Sequence, residues 1–167
     1  MMQHRGLLAL VALLAGAHPV TASANVITDW DEKAAATIQG NVPSAPRVGP
    51  TGATRIMAVM HIAMFEAVNA VDGKYEPYKG PAKPDPGCSQ HAAAATAAAK
   101  VLIKMHPEST AKTQQELDAY LAKIPNGEAK DRGIKLSEET ATRVVALRGD
   151  DGADKVYAYR PRTRPGV

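Results

Sequence analysis

The segment "RIMAVMHIAMFEAVNAVDGKYEPY", residues 55 to 78, limits the possible folds of this chain more than any other. From Ala53 to Asp72 it has no helix breaker, and its apolar residues are spread around the wheel. At about 100° per residue, Met57, His61, Met64 and Val68 share one side, and Arg55, Val59, Ile62, Glu66 and Asn69 share the other. A helix apolar on nearly all sides is expected at the centre of a bundle. His61 and Glu66 then point to different faces and do not pair within the helix. A buried Glu66 needs a cation, which Arg55 or Arg47 is expected to supply. The methionines read as core filling, because the C-x-x-C-H run or second ligand cluster of a haem or copper site is missing.

The rest of the chain is helical in pattern, with no alternation of period two long enough for a sheet. Thr28 is the expected cap of a first helix from Asp29 to Gln39, with Asp29, Asp31 and Glu32 in its acidic first turn and Gly40 after it. "NVPSAPRVGPTG" reads as a loop, and the central helix runs from about Ala53 to Asp72 and stops at Gly73. A proline-rich connection covers Gly73 to Gly87, after which Ser89 caps "QHAAAATAAAKVLIKMH", ended by Pro107. Alanine favours the helix and leaves a smooth face, so this element suits either the surface or a close helix contact. Leu117, Tyr120, Leu121 and Ile124 form one stripe on the next helix. A last helix from about Glu128 to Arg148 carries Leu136, Thr140, Val144 and Leu147 on one face. The expected fold is all-α, an irregular bundle of about five helices, followed by a loop-like ending.

The first 24 residues form a separate unit. A basic start ending at Arg5, an apolar run from Gly6 to Ala17, and small residues at Ala22 and Ala24 make a secretory signal peptide. The apolar run is shorter than the about 20 residues that span a bilayer. Export is therefore expected, periplasmic or secreted, with cleavage after Ala24, a mature chain 25–167 and no membrane attachment afterwards. The net charge of +3 falls by one with Arg5, too little to suggest nucleic acid. Cys88 is the single cysteine, so no internal disulfide forms. Seven aromatic residues are few for a core of this size, which points to a partner surface.

No self-contained active site is legible. His91 and His106 stand near opposite ends of one helix, without the acidic neighbours of a metal site. Cys88 has no evident base beside it in sequence. "GDDGAD", residues 149 to 154, lacks the D-x-D-x-D-G order and closing glutamate of a calcium loop. Arg148-Gly149-Asp150 is an adhesion-type tripeptide too short to carry meaning. Arg160, Arg162 and Arg164 make a solvated basic tail.

Longer phrases carry more information. "VITDWDEKAAATI", "RIMAVMHIAMFEAVNAVDGKYEPY", "VLIKMHP", "LDAYLAKIPNGEAKDRGIKLSEETATRVVALRGDDG" and "YRPRTRPG" occur in that order. Together they resemble the N-terminal half of bacterial vanadium-dependent haloperoxidase-like proteins, of the type-2 phosphatidic acid phosphatase superfamily, over essentially the whole mature chain. The resemblance implies a helical bundle and an activity of either peroxide-driven halide oxidation or phosphoryl transfer. In that family a Lys, two Arg and a His hold vanadate or phosphate, and a second His is the acid/base. Those residues sit in K-x6-R-P, P-S-G-H and S-R-x5-H-x3-D motifs, and none of the three is present. Lys155 to Arg160-Pro161 has the wrong spacing, "PSAP" at 43–46 lacks Gly-His, and no histidine follows His106. No catalytic, cofactor or metal residue is carried over, and vanadate is expected only for a full-length member. The chain is thus expected to be a truncated, catalytically incomplete form whose partner is the missing C-terminal half or a second copy. The alternative is a non-enzymatic secreted helical interaction module.

Overall fold

A computed structural model describes residues 25–40, 47–79, 84–153, 155 and 158. The expected signal peptide (residues 1–24), "PSAP" and Arg160, Arg162 and Arg164 lie outside the described residues. Within them the chain is all-α, as expected, with no strand. Its helices are α1 (Val26–Ile38), α2 (Pro50–Asp72), α3 (Gln90–Met105), α4 (Thr110–Leu121) and α5 (Glu128–Ala146), and a 3₁₀ turn at Pro107–Ser109 joins α3 to α4.

The caps follow from local chemistry. α1 begins three residues before the expected start, because Asn25, and not Thr28, is its cap. Asn25 Oδ1 accepts from the Ile27 and Thr28 amides, and the Thr28 hydroxyl accepts from the Asn25 amide, closing a reciprocal capping box. Of the acidic residues only Asp29 lies in the first turn. α2 starts at Pro50, three residues early, since proline at the first helical position sacrifices no hydrogen bond. It stops at Gly73, whose φ of 64° is left-handed and favours glycine. Ser89 caps α3 through the Ala92 amide, as its position predicts.

The centre of the bundle is α3 and not α2. Every residue from Ala92 to Ala99 is buried, as are Val101 and Leu102, and α1, α2, α4 and α5 all pack on this one helix. Alanine around the whole circumference lets four neighbours approach at once. α2 is buried along one broad face, through Ile56, Val59, Met60, Ala63, Met64 and Ala67, and leaves Ala58 and Phe65 exposed. By length and composition α2 could cross a membrane, but 56% of its most apolar window is inside the bundle.

α5 also departs from the expected pattern. Leu147 lies beyond the helix and is 44% exposed, and Leu136 is half-buried. The buried stripe is Gly133, Ser137, Thr140, Ala141 and Val144. Small residues face inward because α3 offers only methyl groups and the backbones meet closely. The Ser89 amide donates to the Ala129 carbonyl at 2.8 Å, and a Cβ on Gly133 would stand 2.7 Å from the Ser89 carbonyl oxygen. In α4 only Leu117 of the expected stripe is buried, while Tyr120, Leu121 and Ile124 are half-buried.

Gly133→Ala tests the close contact. Alanine gains about 1 kcal/mol in helix propensity, but overpacking costs about 1–3 kcal/mol, and the obstacle is backbone that cannot rotate away. Urea denaturation is expected to show a net loss of stability. Stability equal to or above the parent's would refute the tight α3–α5 approach.

Candidate functional site

Glu66 and Asn69 of α2 face the connection that follows it. Glu66 is 1% exposed, and its Oε1 accepts from the Tyr78 amide at 2.5 Å. Its Oε2 faces Arg143 of α5 at 3.5 Å. The cation is therefore neither Arg55 nor Arg47, but a residue 77 positions away, which sequence spacing gives no means of finding. One helical turn on, Asn69 donates Nδ2 to the Tyr75 carbonyl at 2.7 Å and accepts from the Tyr75 amide at 2.8 Å. Two buried polar groups thus pin residues 75 to 78 against α2 and satisfy backbone that would otherwise be unpaired.

Arg55 closes the other end of this region. Its Nη2 donates to the Arg148 carbonyl at 2.8 Å, and its Nε and Nη2 reach the two Asp151 oxygens at 3.1 Å. That ion pair holds the Asp151 carboxyl below the usual carboxylate range, helped by the Ala153 amide. Asp151 therefore serves as a turn and ion-pair partner. Arg148 bonds the Tyr78 hydroxyl and lies over its ring at 5.6 Å.

His61, as the wheel predicts, is separated from Glu66. Its Nε2 meets Asp31 Oδ1 of α1 at 2.9 Å, with both side chains well exposed. Such a surface pair contributes about 0–1 kcal/mol. His106 is buried at the end of α3, with Nδ1 3.4 Å from Glu108 and no partner for Nε2 among the described residues. His91 stands in the first turn of α3, its Nδ1 3.4 Å from the Tyr120 hydroxyl. With Asp29, Ser89, Lys123, Ile124 and Pro125 they line a cleft of about 490 Å³. Burial, and then the charge of Asp29, raise the Tyr120 phenol above its usual range, so it stays protonated. The three histidines do not converge, and no group of three metal-type ligands forms among the described residues.

Cys88 has a neighbour that sequence did not reveal. It is buried next to Asp85, whose Oδ2 accepts from Arg132 Nε at 3.2 Å. Burial first, and then Asp85, raise the thiol above its usual range, which suppresses the nucleophilic thiolate. Arg132, then the Cys88 thiol, lower the Asp85 carboxyl to about 2. The Asp85 amide also donates to the Ala70 carbonyl at 2.8 Å, so this residue ties the end of α2 to α5.

Comparison with protein-family models, curated proteins and solved structures finds no match to this chain.

Asn69→Ala removes both bonds to Tyr75. A loss of about 1–2 kcal/mol is expected, together with faster amide exchange at Tyr75 and Tyr78 while α3 stays protected. Unchanged exchange at those two amides would show that the clamp does not hold the segment.

The Asp85–Arg132 pair predicts an acid-side loss. Because folding lowers the Asp85 pKa, its stabilisation is complete above the unfolded value near 3.8 and is lost as pH falls from about 4 toward about 2. Asp85→Asn is expected to flatten that part of the stability curve. Parallel curves for parent and variant between pH 4 and 2 would contradict the assignment.

Proposed function

We propose that this chain is the helical N-terminal half of an exported vanadium-haloperoxidase-like or acid-phosphatase-like protein, and that it supports chemistry without completing it. The reading rests on the colinear phrases that run through the mature chain. One structural observation supports it most. On and beside α2 the polar side chains are engaged in fixed pairs, Glu66 with Tyr78 and Arg143, Asn69 with Tyr75, and Arg55 with Asp151. The large apolar side chains left exposed in that region are aromatic. Phe65 is 40% exposed, Tyr75 68% and Tyr78 47%, with the Phe65 and Tyr75 rings 6.2 Å apart. An aromatic surface on a rigidly pinned support suits cover by further polypeptide, in this reading the catalytic half.

A second reading, a secreted helical module without enzymatic activity, has its own support. The described helices already bury α3 from Ala92 to Ala99 and at Val101 and Leu102, a core formed without further polypeptide. The same aromatic surface would then receive a partner protein. The coding sequence beyond Val167 separates the two: P-S-G-H and S-R-x5-H-x3-D motifs in frame favour the supporting half, and an unrelated gene favours the module.

The purified chain is expected to oxidise no bromide with peroxide and vanadate, and to hydrolyse no phosphate ester above the buffer rate. Sustained turnover by homogeneous protein in either assay would overturn the supporting-half reading.

A further inference from the structure

The ends of α2, α3 and α5 enclose a pocket of about 240 Å³ lined by Arg55, Lys104, Met105, Val145, Arg148 and Gly149. Three of these side chains are cations. Arg55 uses Nε and Nη2 on Asp151 and on the Arg148 carbonyl, which leaves Nη1. Arg148 gives Nη2 to the Tyr78 hydroxyl and lies over that ring, so its plane is set while Nε and Nη1 remain uncommitted. Lys104 has no carboxylate partner among the described residues.

Helix ends explain part of this. Lys104 is in the last turn of α3 and Arg148 lies just past α5, where cations offset the exposed carbonyls. That role needs a cation near each axis, and it does not require three to line one concavity. Among the described residues the only carboxylate bonded to a lining cation is Asp151, which leaves two positive charges over. Like charges held together in this way favour a dianion, and donors from three separate elements suit a tetrahedral ligand better than a planar carboxylate.

We propose that this pocket binds a small phosphate-class oxyanion, as the free ion or as the terminal phosphate of an ester, through Lys104 Nζ and the uncommitted edges of Arg148 and Arg55. The site uses none of the motif residues expected of a haloperoxidase and stands independently of that reading.

The test is calorimetric titration of the purified chain with sodium phosphate and with glycerol 3-phosphate at fixed ionic strength, alongside thermal unfolding in phosphate and in chloride. Saturable binding is expected, with a higher Tm in phosphate than in chloride of equal ionic strength. Lys104→Gln, checked by circular dichroism to fold like the parent, is expected to weaken binding by about tenfold or more, the loss of one charge-assisted contact. Lys112→Gln, at a lysine that pairs with Glu116 on α4, is expected to leave it unchanged. Tighter binding of the ester assigns the site to a terminal phosphate, and equal or weaker binding assigns it to the free ion. Equal Tm values in phosphate and chloride, or a Lys104→Gln variant with the parent's affinity, would overturn the proposal.

Discussion

The fold depends on how closely four helices approach α3. From Ala92 to Ala99 that helix offers no side chain larger than threonine's, and every residue there is buried. A hub of alanines brings little apolar area per residue, so the gain comes from many short contacts between backbones and methyl groups. The neighbours complement it. α5 turns Gly133, Ser137 and Ala141 inward, while α2 and α1 supply the volume through Met60, Met64 and Trp30. Trp30 is fully buried and meets the Tyr120 ring edge-on at 6.5 Å, which fastens α1 to α4 on the same side of the hub.

This packing decides where polar groups can go. Ser137 and Thr140 bond back to carbonyls one turn earlier, at Gly133 and Leu136, so their hydroxyls are satisfied inside the helix and add almost no bulk to the contact. Thr96 of α3 has no partner for its hydroxyl among the described residues, a cost accepted at the most crowded point. Charged groups meet around the hub rather than on it. Glu66 with Arg143, Arg55 with Asp151 and Arg132 with Asp85 join segments far apart in sequence. The core holds the helices together, and the rim fixes the connections between them.

The sequence was legible where the signal is local. Helix content, the Gly73 stop, the Ser89 cap and the separation of His61 from Glu66 all follow from a few neighbouring residues. It misled where hydrophobicity substituted for burial. On α5 Thr140 and Val144 of the expected stripe are buried, but Leu136 is half-buried and Leu147 exposed, and Gly133, Ser137 and Ala141 complete the buried stripe. α2 looked central because it is apolar all round, yet the helix that is buried all round is the alanine one. The cap of α1 was missed because Asn25 and Thr28 act as a pair. The partners of Glu66 and Cys88, and the meeting of Arg55, Lys104 and Arg148, depend on tertiary placement and leave no mark in spacing.

An alanine hub also changes which perturbations matter. In a core of leucines and aromatics the vulnerable direction is truncation, since each lost methylene leaves a cavity. Here seven of the ten buried residues of α3 are alanines with little left to truncate, and added volume there or along the α5 stripe has nowhere to go. Among the described aromatics Trp30 alone is fully buried, Tyr120 is half-buried, and Phe65, Tyr75 and Tyr78 stay outside. Their exposure leaves these last three, among the described residues, as the largest apolar side chains available to whatever the bundle meets.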